Sequence, residues 1–270
     1  MESGFYLRLA RSEFTRALAA CREHSGKKTV HDLRISARRM EALLHKVEED
    51  FPDADLLHPP GNALAEGIKT IRAIRRLAGL VRDPDVHRTL LQNLKEEAMS
   101  KSSPGEMEEL YRECDLLDQH FRQERKRFAN KLRSRLAKDE RRLEHDLEAL
   151  AKSLKILNQK APSPLTTAKR WVAREISRME KPEEANLHEY RKRTKEARYL
   201  AELQQDSVTA QRLAQRLQKI QNLIGAWRDW ELLIDNATAV LGKRACCLSG
   251  IKEKRDLALH NALQTVQRTR

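Results

Sequence analysis

The chain has 270 residues, with 53 Lys+Arg against 40 Asp+Glu, a formal charge of +13 and a pI near 9.7. This balance attracts polyanions such as nucleic acid, anionic lipid or polyphosphate without choosing among them. Nine glycines, eight prolines and 4% aromatics, with apolar residues at helical rather than alternating spacing, exclude a strand-rich fold. No stretch reaches the ~18–20 apolar residues needed to cross a bilayer.

The opening segment, MESGFYLRLARSEFTRALAACREH, mixes charged and apolar residues at helical period and lacks the apolar core of a secretory signal. It predicts a soluble, cytoplasmic protein. Breakers then divide the chain at Ser25-Gly26, Phe51-Pro52 through Gly61, Asp83-Pro84, Ser102 to Gly105, Pro162 to Pro164, Lys181-Pro182, Gly242 and Ser249-Gly250. These imply roughly ten helices in an all-α fold. Segment 106–160 is long, charged and free of Pro and Gly, so it reads as one extended helix or two abutting ones that connect the halves. Its basic blocks at 122–128 and 133–142 read as a solvated face. Cys21, Cys114, Cys246 and Cys247 show no paired metal-ligand spacing and read as reduced structural thiols.

Two motifs recur in the same order. Residues 30–39, VHDLRISARR, match 187–196, LHEYRKRTKE, as apolar–His–acid–x–Arg–x–x–x–base. Residues 77–83, LAGLVRD, match 223–229, LIGAWRD, as Leu–x–Gly–x–x–Arg–Asp. An ordered double match points to a duplicated helical unit, with halves of about 1–160 and 161–270.

On a helical wheel His31, Arg34, Arg38 and His45 share one stripe with Arg39 at its edge, opposite Leu33, Ala37, Met40 and Leu44. In the second copy His188, Arg191, Lys192 and Lys195 share a stripe flanked by Arg198, opposite Tyr190, Thr194, Ala197 and Ala201. Lys69, Arg72, Arg75 and Arg76 extend the theme before the first Gly motif. In the second copy Gln215, Gln218 and Asn222 take that face, with Lys219 elsewhere on the helix. Residues seven apart on a helix lie about 10 Å apart, so each stripe is a ladder of cations suited to a linear polyanion. Arginine brings a planar fork to phosphate oxygens and lysine a mobile point charge. Gly79 and Gly225 read as close-packing points. Asp83 and Asp229 read as helix caps or as partners that orient arginines.

At these residues the sequence resembles the CHAD family, the conserved histidine α-helical domain. The carrying segments are 30–44 with 77–86, then 187–203 with 217–233, so the likeness covers most of the chain as one domain, 1–270. The resemblance implies two helical bundles related by pseudo-twofold symmetry around a basic central pore that binds inorganic polyphosphate. His31, Arg34, Arg38, Arg39, His188, Arg191, Lys195 and Arg198 would line it. Glu41 departs from the pattern, standing where the second copy has Arg198.

Alternatives are weaker. Catalysis would need carboxylates for magnesium or a metal-ligand set, and neither accompanies His31 or His188. No cofactor, catalytic residue or metal ligand is assigned, and His24, His58, His87, His120, His145 and His260 read as incidental. Nucleic acid is the main competing ligand, but Trp171, Trp227 and Trp230 sit at apolar helical positions and leave the basic stripes without stacking platforms. Association with storage granules, through amphipathic stretches such as 106–135, is a further reading.

Overall fold

The computed structural model describes residues 3–50, 63–99, 104–157, 164–176, 182–204 and 207–268. The breaker run 51–61 with His58, and the side chain of Trp171, lie outside the described residues. Among the described residues there are eight α-helices and no strand: α1 (Ser3–Glu23), α2 (Lys27–Asp50), α3 (Ala63–Ala98), α4 (Pro104–Leu157), α5 (Pro164–Trp171), α6 (Glu184–Leu203), α7 (Val208–Leu241) and α8 (Cys247–Arg268). A short π-helical segment, Val172–Ile176, follows α5. No described helix is long and apolar enough to cross a membrane.

Helix ends follow local chemistry. The Ser207 hydroxyl accepts the Ala210 N–H at 3.2 Å, capping the start of α7. Gly242 closes that helix with φ +90°, a conformation that favours glycine, while its N–H reaches the Thr238 carbonyl at 3.0 Å. The charged segment beyond residue 104 is one helix of 54 residues, supported along its surface by pairs one turn apart such as Asp118–Arg122 at 2.6 Å.

Two expected breaks do not occur. Pro84 lies inside α3, where its buried ring packs in a helix held on both sides by the buried Val81 and Leu91. Packing there outweighs the roughly 3 kcal/mol cost of an interior proline. Ser249-Gly250 lies within α8, and a Cβ at Gly250 would stand 3.0 Å from Leu94 Cδ1. Glycine there permits a close helix approach instead of ending the helix.

The chain forms two compact units. One comprises residues 1–79, 128–178 and 193–218; the other comprises 80–127, 179–192 and 219–270. In the first, α1 packs along α2, with Phe14, Leu18, Leu33, Met40, Leu43 and Leu44 buried. The second has a core of Leu91, Leu94, Cys114, Leu117, Phe121, Trp230, Leu233, Cys247 and Ile251. Trp227 and Trp230 are both buried, as their apolar register predicts.

Candidate functional site

The wheel assignments hold where burial tests them. Leu33, Ala37, Met40 and Leu44 on α2 are fully buried, as are Tyr190, Thr194, Ala197 and Ala201 on α6. The cationic stripes therefore occupy the other faces of both helices.

In the first unit, α2 and the start of α3 run antiparallel, which side-chain contacts trace pair by pair. Arg34 lies beside Gly79, Glu41 takes Arg75 and Arg72, and His45 meets Arg72. A Cβ on Gly79 would stand 2.6 Å from Arg34 Nη1, so the bare backbone of the second motif makes room for the arginine of the first. Arg34 is largely buried as a result.

Acids neutralise several of the predicted cations. Glu41 places Oε1 2.9 Å from Arg72 Nε and Oε2 2.7 Å from Arg75 Nε. Arg39 lies 3.0 Å from Glu13 and 3.2 Å from Glu202. Burial works to lower its pKa, but the two carboxylates overbalance it and hold the guanidinium above its ordinary value. Arg198 is buried, 3.2 Å from Glu202 and with its guanidinium 4.4 Å from the Tyr199 ring centre. Lys69, at the exposed end of the row, pairs with Glu66 at 3.4 Å.

Arg38 differs. Its Nη1 donates to the Tyr199 hydroxyl at 3.2 Å, its Nε is buried without a hydrogen-bond partner, and no carboxylate among the described residues pairs with it. Arg76, one turn beyond Arg72 on α3, is exposed and likewise has no acidic partner among the described residues. His31 is exposed at the start of the stripe, and Lys195 is half-buried on α6 in the same unit.

The second unit repeats the central contact. A Cβ on Gly225 would meet Arg191 Nη2 at 3.5 Å, an ordinary contact and looser than its counterpart. His188 is exposed, Lys192 is exposed and 3.5 Å from Glu189, and Lys219 is exposed on α7. Asp83 and Asp229 lie in mid-helix and cap nothing; they flank Arg82 at 3.7 and 3.9 Å, as arginine partners. His87 is buried with its ring 5.0 Å from Phe121, and burial lowers its pKa to about 4, which keeps it neutral and structural.

Sequence reasoning missed the acids that complete the arrangement. Glu202 stands four residues after Arg198, a spacing that could have been read on one helix. The pairings of Glu13, Glu41 and Glu196 join helices distant in sequence and left no local signal. A cavity of about 370 Å³ between α1 and α2, lined by Glu13, Arg16, Asp32, Ser36 and Arg39 among others, was also not foreseen. Among the described residues no group of three or more His, Cys, Asp or Glu side chains is placed to hold a metal ion.

The sequence model of the CHAD domain family matches residues 6–238. The fold is similar to the crystal structure of the CHAD domain from the plant Ricinus communis, with 18% identity, TM-score 0.65, and coverage of 98% of this chain and 89% of that one. It is also similar to PptA from Streptomyces chartreusis, with 15% identity, TM-score 0.62, and coverage of 99% and 96%. No curated protein sequence gives a significant match.

Proposed function

The chain belongs to the CHAD domain family, and on that premise we propose that it binds a phosphate polyanion, inorganic polyphosphate above all, without catalysing a reaction on it. The observation that carries the proposal is Arg38. Its guanidinium is half-buried, hydrogen-bonded to a neutral phenol, and lacks an acidic partner among the described residues. A partly desolvated donor left unsatisfied costs about 1–3 kcal/mol, and an anionic ligand would remove that cost. Arg76 offers a second uncompensated guanidinium on the adjoining helix.

The acids nearby argue for binding over chemistry. Glu13, Glu41, Glu196 and Glu202 are each engaged by an arginine or histidine, whereas phosphoryl transfer needs carboxylates available to hold magnesium. The proposal includes a cytoplasmic setting, free or at polyphosphate granules.

Calorimetric titration with long-chain polyphosphate tests this reading. The double variant Arg38→Gln, Arg76→Gln should bind roughly tenfold or more weakly, with a shallower dependence on salt. Unchanged affinity would remove the assigned site. Nucleic acid displacing polyphosphate at equal phosphate concentration would favour the competing ligand, and phosphate release from the bound chain would overturn the absence of catalysis.

A further inference from the structure

His45 lies between three charged groups contributed by three helices. Its Nδ1 is 3.1 Å from Glu196 Oε1 on α6, and its Nε2 is 3.2 Å from Arg72 Nη2 on α3. Glu41, one turn earlier on its own helix, holds Arg72 Nε from the other side at 2.9 Å.

A guanidinium can only donate, so the Arg72 contact requires Nε2 to accept. The ring proton must then sit on Nδ1 and donate to Glu196. This is the neutral imidazole with both nitrogens satisfied. A second proton has only Nε2 to go to, where it would face an Arg72 N–H donor to donor. Protonation and the Arg72 contact are therefore mutually exclusive.

We propose that His45 is a proton-gated member of the anion site: neutral, it occupies Arg72; protonated, it releases Arg72 Nη2 and adds its own positive charge for a phosphate ligand. This rests on the polyanion reading above and adds regulation to it. The surroundings set a useful range. The hydrogen bond to Glu196 is the largest influence on His45, ahead of opposing burial; with the charges of Glu196 and Glu41, and against Arg72, the net effect raises its pKa above the ordinary 6.5. Gating would then operate at a higher pH than for an ordinary histidine. A ligand that prefers the protonated form takes up a proton on binding, so affinity rises as pH falls through that range.

His45→Gln tests the gate, because glutamine can donate to Glu196 and accept from Arg72 but does not titrate. Polyphosphate affinity of the native protein should rise about three- to tenfold more between pH 8.5 and 6 than that of the variant, with greater proton uptake in buffers of differing ionisation enthalpy. His31 and His188 are the same in both proteins, so any contribution from them cancels. Equal pH dependence in the two would overturn the gate while leaving anion binding intact. Loss of binding in both proteins at every pH would instead sink the polyanion reading, and the ligand half of the gate with it. Independently of ligand, nuclear magnetic resonance should show the Arg72 side-chain signals moving with the His45 titration. Arg72 signals that stay fixed as His45 titrates would overturn the gate outright.

Discussion

The end of the Arg34 side chain lies against the bare α-carbon of Gly79, and the second copy repeats the relationship more loosely with Arg191 and Gly225. The atom a new methyl group would strike is the far end of a flexible side chain, not backbone. Gly79→Ala should therefore leave thermal stability within about 1 kcal/mol of native, helped by alanine's helix propensity, while displacing Arg34 and weakening polyphosphate binding severalfold. Gly225→Ala, with 3.5 Å available, should stabilise slightly and leave binding near native. Paired melting curves and titrations of the two variants check this asymmetry.

Glu41 engages both Arg72 and Arg75. Replacing it with Gln should cost about 1 kcal/mol or less, because these pairs are partly solvated, and should raise affinity for polyphosphate by freeing two cations. Urea unfolding and calorimetry on the same variant measure the opposed effects.

Arg38 should show the reverse trade. Arg38→Met removes an uncompensated, half-buried charge, so stability should stay level or rise by about 1 kcal/mol as affinity falls. A loss of more than that in stability would mean that the guanidinium is held by the fold itself.

Glu113 of α4 reaches across the second unit to the start of α8, accepting the backbone N–H groups of Cys246 at 3.1 Å and Cys247 at 2.9 Å. Burial works to raise its pKa, but hydrogen bonds from both cysteines prevail and lower it. Its contribution is therefore present above the ordinary carboxylate value and lost as pH falls through the depressed one. Glu113→Ala should cost about 1–2 kcal/mol at pH 7, with the gap to native narrowing in acid unfolding titrations. The same carboxylate lies 3.0 Å from Cys246 Sγ, and burial together with Glu113 pushes that thiol up to about 12. Alkylation of Cys246 should accelerate in the variant.

Much of this was legible because a helix reports its faces through spacing. The apolar registers of α2 and α6 and the motif glycines as close-packing points follow from periodicity and residue size, whereas spacing left 106–160 open between one helix and two, and the structure has one. Pro84 and Gly250 misled because tertiary packing outweighed their local preference. The carboxylates at Glu13, Glu41 and Glu196 were invisible as partners for a related reason: their arginines and histidine come from other helices, and no local pattern encodes such a meeting. The stripe residues were thus identifiable as cations, but which of them remain uncompensated required coordinates.

Helices α3, α4, α6 and α7 each contribute residues to both compact units. No single cut in the chain can release either unit whole, and a nick within any of these helices severs an element on which both depend. Fragments expressed from one end should therefore be poor folders.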